Sequence, residues 1–218
     1  MSFEVFARRA QPVIEERWGG EFAERVLRDA RLAYPEVASR LPDIGGWRNV
    51  FTPVVVVNGW LIALHGAMRR HGKSAEDTIA VCFTVSDRFF RSIPGKLLKL
   101  IGRLAFTAPV RRIFCQQAAR SQRRQYPADF VYTVEEGEDG ELSLVFSECA
   151  VNKMYDALGL ADLKPYCNFF DVTYSRLMDM GVDAHETIGL GCQQCALRFK
   201  HGRPTAVPAR LRGIIGNA

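Results

Sequence analysis

The spacing of hydrophobic positions changes about halfway along the chain. In the first half, apolar residues recur every three or four positions, which is the period of an amphipathic helix. A helix is predicted over Val50–His71. Ser74 and Asp77 then have the spacing of a capping box that opens the next helix. Two further basic amphipathic helices are predicted over Lys96–Phe106 and Val110–Gln125.

From Tyr126 onwards, strand patterns alternate with short helices. Two runs rich in aromatic and β-branched residues, Phe130–Val134 and Leu142–Phe146, flank a glycine-containing turn and predict a β-hairpin. The remaining predicted elements are helices at 148–158 and 165–180 and short strands at Ala184–Gly189 and Ala196–Lys200. The predicted fold class is therefore α+β, with a helical N-terminal half followed by a smaller α+β half that carries the hairpin and two further short strands.

These elements suggest a division of the chain into a helical region over 1–125 and an α+β region over 126–202. The two regions can also form one composite domain. The last segment, 203–218, contains two prolines and three arginines. We therefore expect it to be a mobile tail.

The overall composition is that of a folded protein. Hydrophobic residues make up 48% and charged residues 24% of the chain, which excludes a mostly disordered or collagen-like chain. The first residues show no signal peptide pattern. The most apolar run, Val54–Leu64, is shorter than the roughly 20 residues that cross a bilayer. We expect a cytoplasmic protein with no transmembrane segment and with reduced cysteines.

The net charge of +5 is unevenly distributed. Residues 88–128 contain ten Lys or Arg and no Asp or Glu, whereas residues 135–141 are acidic. A basic surface of this kind can meet nucleic acid, an anionic membrane or a small anionic substrate. A solvated helix face balanced by the acidic loop is the other interpretation.

Four of the six cysteines lie between positions 149 and 195, and the last two form a C-x-x-C motif. Cys149 is predicted to open a helix directly after a strand, where the helix dipole lowers a thiol pKa. Cys167 is predicted in the first turn of the next helix, and Asp171 four residues later lies on the same side. Cys195 begins the final predicted strand, whose alternation carries its side chain towards the same interior. The sequence therefore predicts that these groups converge.

Three kinds of chemistry remain open for this cluster. One thiolate can act as a nucleophile, with Asp171 or His185 handling protons. Alternatively, the sulfurs can bind zinc or an iron–sulfur cluster, with Cys192 and Cys195 as ligands. The cysteines can also be small apolar core residues.

The stretch from Ser147 to Asp171 resembles the L-2-amino-thiazoline-4-carboxylic acid hydrolase family. The shared features are a cysteine that opens a helix, a glycine that ends it, a Cys-x-x-x-Asp motif, and a glycine turn before a cysteine that starts the last strand. Here these features correspond to Cys149, Gly159, Cys167 with Asp171, and Gly191 with Cys195. The similarity covers roughly residues 45–202. It implies hydrolysis of a non-peptide C–N bond in a small cyclic amidine or thiazoline, without a cofactor.

The sequence departs from this family at two places. Cys195 is followed by Ala196–Leu197, where the family usually has Asp-Phe, and an arginine usual in the preceding strand is replaced near His185–Glu186. If that aspartate is needed for proton transfer, this chain binds a related ligand without turning it over. Cys192 is an additional thiol.

The leading hypothesis is a hydrolase that acts on a small anionic heterocycle or amidine. Cys149 or Cys167 supplies the thiolate, and Asp171 orients it or activates water. The other expected site residues are His185 as proton donor and Arg198 and Arg176 as partners of a substrate carboxylate. The alternatives are a cysteine-ligated metal or iron–sulfur protein with a sensing or redox role, and a binder that uses the basic helices.

Overall fold

The computed structural model describes residues 2–215, apart from the side chain of Glu138, and within them shows nine α-helices and one four-stranded sheet. Six helices occupy the first half: α1 (Phe3–Trp18), α2 (Gly20–Ser39), α3 (Thr52–Arg70), α4 (Ala75–Arg91), α5 (Gly95–Leu104) and α6 (Ala108–Ser121). The second half contains β1 (Val131–Glu136), β2 (Leu142–Glu148), α7 (Ala150–Ala157), α8 (Phe169–Met178), β3 (Val182–Asp183), β4 (Cys195–Phe199) and α9 (Ala209–Ile215). The predicted α+β class is confirmed.

The start of α4 is fixed by the capping box that the sequence predicts. The Ser74 hydroxyl accepts a hydrogen bond from the Asp77 backbone N–H at 3.1 Å, and the Asp77 carboxylate accepts one from the Ser74 N–H at 2.9 Å. Each side chain therefore satisfies a backbone donor that the first helical turn leaves unpaired.

The sheet is antiparallel throughout, with strand order β1-β2-β4-β3. The predicted β-hairpin is confirmed as β1 and β2. In the register of β2 with β4, Phe146 lies opposite Cys195. Because β2 runs into α7 through Cys149, this register brings the start of β4 close to the start of α7.

Two predicted elements differ from the structure. Residues Ala161–Tyr166 form a 3₁₀-helix, in which the Cys167 N–H bonds to the Lys164 carbonyl three residues back, and α8 begins only at Phe169. Cys167 therefore precedes the helix in which it was predicted.

The strand predicted over Ala184–Gly189 is also wrong. Strand pairing on β4 stops at Asp183, and Ile188–Leu190 forms a 3₁₀ turn. The turn ends at Gly191, whose φ of 87° is in the left-handed region that glycine adopts without strain.

The C-terminal segment also differs from the prediction of a mobile tail. Residues Ala209–Ile215 form α9, which buries Leu211, Ile214 and Ile215. These side chains join an apolar core cluster that also contains residues of α1 to α4 and of the sheet. Residues 216–218 of the predicted tail lie outside the described part of the chain.

The buried core is shared by both halves of the chain, and the boundary between residues 125 and 126 stays a prediction. Across residues 2–215, none of the helices combines the length and the apolar character that a membrane crossing requires.

Candidate functional site

Cys149 lies at the junction of β2 and α7, where it is the N-terminal cap residue of the helix. The pKa of its thiol is lowered first by a hydrogen bond from the Cys195 thiol, and then by the backbone N–H groups of Asn152 and Val151 and the Asn152 amide. These donors stabilise the thiolate and outweigh the opposing effect of burial.

Cys195 is the partner that donates to Cys149. Its hydrogen bond to Cys149 and its burial raise the pKa of the Cys195 thiol, so it keeps its proton. The Ile188 backbone N–H donates to the Cys195 sulfur at 3.1 Å and fixes its position. The pair therefore divides its roles, with Cys149 as the thiolate and Cys195 as the donor.

The pKa values of Asp171 and Cys167 are shifted in the opposite direction from that of Cys149. Burial raises the pKa of the Asp171 carboxyl to about 7, and the charge of Cys149 adds to this effect, although the Tyr174 hydroxyl donates to Asp171 Oδ1 at 3.0 Å. Burial also raises the pKa of Cys167 to about 12. At neutral pH, Cys167 is thus a neutral thiol, and Asp171 keeps its proton to a higher pH than an ordinary carboxyl group does.

These groups share one cavity of about 80 Å³. Its wall contains Cys149, Cys167, Cys195 and Asp171. A larger cavity of about 160 Å³ adjoins it, because Cys167 and Asp171 line both. The structure therefore brings together the three sulfurs and the acid that the sequence analysis selected.

Among the polar residues at this site that the sequence analysis missed are Thr187 and Asn152. Thr187 is 1% exposed and lines the smaller cavity, and its hydroxyl has no hydrogen-bond partner among the described residues. The buried amide of Asn152 favours the charged forms of Cys149 and Cys167, yet neither of its polar atoms has a hydrogen-bond partner of normal geometry in residues 2–215. The position of Asn152 three residues after Cys149 is a local signal for its role, whereas Thr187 carries none.

Three predicted residues lie outside both cavities. Each is engaged by a carboxylate on the protein: His185 by Asp183 at 2.6 Å, Arg198 by Glu186 at 2.8 Å, and Arg176 by Asp87 at 2.8 Å. The structure therefore brings no predicted proton-donating histidine and no predicted carboxylate clamp to the thiol cluster.

The two cysteines proposed as metal ligands, Cys192 and Cys195, lie in different environments. Cys192 is exposed, whereas Cys195 is buried and hydrogen-bonded to Cys149. Within the described part of the chain, no group of three or more His, Cys, Asp or Glu side chains could hold a metal ion. The zinc or iron–sulfur alternative therefore gains no support from the arrangement of these side chains.

Comparison with known proteins gives one match. Searches of curated proteins and of solved structures found no significant similarity. A sequence profile named L-2-amino-thiazoline-4-carboxylic acid hydrolase matches residues 58–199, which run from within α3 to the end of β4 and include Cys149, Cys167, Asp171 and Cys195. Because the match covers more than half of the chain, this protein belongs to the L-2-amino-thiazoline-4-carboxylic acid hydrolase family.

Proposed function

We propose that this protein is a hydrolase that opens a small cyclic amidine or thiazoline at its C–N bond, with Cys149 as nucleophile and Asp171 as the proton-transferring group. One observation carries the proposal. A thiol with a lowered pKa and a carboxyl group with a pKa raised to about 7 line the same cavity. Two groups whose pKa values are shifted in opposite directions in one cavity are typical of a nucleophile and its acid partner.

In the first step, the Cys149 thiolate adds to the carbon of the protonated amidine, and the C=N π electrons move to nitrogen. Asp171 then transfers its proton to the leaving ring nitrogen, and the C–N bond breaks as the second nitrogen on the attacked carbon re-forms a C=N bond. The freed amine stays attached through the rest of the ring. This step leaves a covalent thioimidate on Cys149 and a carboxylate on Asp171.

In the second step, the Asp171 carboxylate takes a proton from water as the water oxygen bonds to the same carbon. The intermediate collapses to a carbonyl and expels the Cys149 thiolate, and the hydroxyl proton passes to the freed amine. Asp171 is protonated again, so both groups return to their starting states.

Cys149 is a better nucleophile in this scheme than Cys167. Burial raises the pKa of Cys167 to about 12, so its thiolate is scarce at neutral pH. Cys167 instead contributes an uncharged thiol to the wall of both cavities.

Ala196 stands where the family usually has an aspartate, and this difference has a simple consequence in the proposed mechanism. Ala196 is 1% exposed and pairs with Val145 within the sheet, and it lines neither cavity. Among the described residues that line the two cavities, Asp171 is the acid. Proton transfer is therefore assigned to Asp171 alone.

The test is hydrolysis of a panel of 2-aminothiazolines and cyclic amidines by three single variants. Cys149→Ser is expected to lower kcat/KM by about 10³-fold or more, since the nucleophile is lost. Cys167→Ser is expected to stay within about tenfold of the parent protein, and the exposed Cys192→Ser serves as the matched control. Undiminished turnover by a folded Cys149→Ser protein would remove Cys149 from the mechanism.

A further inference from the structure

The larger cavity has a wall that is almost entirely apolar. It lies between α3, α8 and the sheet, and the segment joining α5 to α6 closes one side. The aromatic and aliphatic side chains that line the wall include Phe51, Val54, Phe106, Leu144, Phe169 and Leu197. Whatever occupies this space exchanges water for hydrocarbon contacts on most of its surface.

Two polar side chains in this wall, those of Asn58 and Tyr174, are already engaged with other groups of the protein. The Asn58 amide donates to the Val54 carbonyl at 2.9 Å and accepts a hydrogen bond from Tyr155 at 2.5 Å. The Tyr174 hydroxyl donates to Asp171. No Lys, Arg or His among the described residues lines either cavity. A carboxylate bound in the larger cavity would lose its hydration without a cation in the cavity wall as its counter-ion.

The size of the larger cavity is informative. Its volume of about 160 Å³ is close to that of the engineered apolar cavity of about 150 Å³ that binds benzene. A single ring or a short branched alkyl group therefore fits it. Because the two cavities meet at Asp171 and Cys167, a ligand can place one end against Cys149 and extend the other into the larger cavity.

We infer that the substrate is a cyclic amidine or thiazoline that carries a ring-sized apolar substituent in place of a carboxylate. For the reacting end of the ligand, this inference rests on the proposed function. For the apolar substituent, it rests on the wall and the volume of the larger cavity.

The test compares two ligands that differ only in this substituent, 4-phenyl-2-amino-2-thiazoline and 2-amino-2-thiazoline-4-carboxylate. Binding is measured calorimetrically to the Cys149→Ser protein, so that turnover does not interfere. The phenyl compound is expected to bind at least tenfold more tightly. Equal or tighter binding of the carboxylate would overturn the inference.

Cavity-filling variants locate the substituent. Leu144→Trp fills the larger cavity and is expected to weaken binding of the phenyl compound at least tenfold, and the smaller change Leu144→Phe provides a graded variant if Leu144→Trp does not fold. Unchanged affinity in either folded variant would contradict the assignment. Tight phenyl binding together with full turnover by Cys149→Ser would instead remove the proposed nucleophile and leave the apolar site in place.

A second inference comes from an exposed surface on α5. One side of this helix packs on α8 through Leu98 and Gly102, where a side chain at Gly102 would overlap the Met178 carbonyl. The other side exposes an apolar stripe with helical spacing, formed by Leu97 (46% exposed), Leu100 (52%), Ile101 (43%) and Leu104 (48%). An amphipathic helix normally buries such a stripe.

The charged residues on this helix are all of one sign. Lys96, Lys99 and Arg103 are exposed on the same helix, and no acidic residue occurs anywhere in 88–128. A second copy of this surface would bring like charges together. Nucleic acid would offer nothing to the leucine stripe. A helix with leucines on one side and Lys and Arg beside them is typical of segments that lie in the interface of an anionic bilayer.

We propose that α5 binds the surface of a membrane that contains anionic lipids. The full-length protein is tested by co-sedimentation with phosphatidylcholine vesicles that contain or lack phosphatidylglycerol. Binding is expected with the anionic vesicles and is expected to weaken at high salt. The double variant Leu100→Glu/Ile101→Glu should lower the bound fraction at least tenfold.

The matched control is Leu32→Glu, which changes an exposed leucine of α2 (75% exposed) and should leave vesicle binding unchanged. No binding to anionic vesicles, or equal loss in the control variant, would overturn the proposal. A concentration-dependent dimer that is lost only in the α5 variant, without vesicle binding, would assign the surface to a second copy of the chain.

Discussion

At the scale of single residues, the site depends on two acids whose proton affinities are brought close together. An ordinary cysteine holds its proton more tightly than an aspartic acid by several powers of ten. Here the Cys195 thiol and the start of α7 stabilise the Cys149 thiolate, while burial favours protonated Asp171. Each negative charge also disfavours the other, so the two groups lose their protons in steps that belong to the pair. In the mechanism that we propose, the reactive form has Cys149 deprotonated and Asp171 protonated.

This pairing predicts a bell-shaped dependence of kcat/KM on pH. Activity should rise as Cys149 loses its proton, at a pH below the pKa of an ordinary thiol. It should fall as Asp171 loses its proton near pH 7. Asp171→Asn keeps the shape of the side chain but has no proton to transfer in this range. The variant should lose about 10²- to 10⁴-fold in kcat/KM and should also lose the falling limb. A falling limb that persists in Asp171→Asn would assign it to another group.

At the scale of secondary structure, the cavity depends on two 3₁₀ turns that pack closely. The turn Ile188–Leu190 carries the backbone donor for Cys195, and it lies against the 3₁₀-helix Ala161–Tyr166 that leads to Cys167. Gly189 allows this contact, because a Cβ at this position would overlap the Lys164 carbonyl and lie 3.0 Å from the Cys167 sulfur. Glycine here serves close approach of two backbones.

Gly189→Ala is therefore expected to push the two turns apart. The free energy of unfolding should fall by about 1–3 kcal/mol, the usual cost of forcing extra atoms into a packed site. The shift should also weaken the hydrogen bond to Cys195 and slow alkylation of Cys149 at neutral pH, measured by peptide mass spectrometry. Gly66→Ala is the matched control, since a Cβ there meets nothing within 4 Å and alanine favours the helix. Equal stability and alkylation in both variants would show that the Gly189 contact is not limiting.

At the scale of the whole molecule, the last helix closes the core. Leu211 on α9 is fully buried, and α9 contacts both α4 and the 3₁₀-helix Ala161–Tyr166 that precedes the site. The C-terminal segment is thereby tied to the helical half and to the wall of the cavity. The burial of Leu211, Ile214 and Ile215 explains why a segment rich in arginine and proline forms a helix over Ala209–Ile215.

Leu211→Ala is expected to destabilise the whole protein by about 2–5 kcal/mol, because it removes a buried side chain and leaves a cavity. Chemical denaturation followed by both tryptophan fluorescence and circular dichroism should show one lowered transition. Leu32→Ala, at a position that is 75% exposed, should change the free energy of unfolding by no more than about 0.5 kcal/mol. A small effect of Leu211→Ala, or a separate early transition, would show that α9 is only loosely attached.

The features that the sequence by itself determined are local ones. The capping box of Ser74 and Asp77, the β-hairpin and the placement of Cys149 at the start of a helix each depend on residues within a few positions of one another. Short-range hydrogen bonds and side-chain periodicity decide such features, so these features can be predicted from the sequence. The family resemblance also follows from the order of short motifs between Cys149 and Cys195, and the family profile matches residues 58–199.

Only the tertiary structure decided which side chains meet. The contact of Cys195 with Cys149 depends on the register of β2 with β4, and the removal of Arg176 from the site depends on its ion pair with Asp87, 89 positions earlier. Thr187 is placed at the cavity by a turn where a strand was predicted. Contacts between distant segments are fixed by packing and pairing energies summed over the whole core, and no short stretch of sequence contains them.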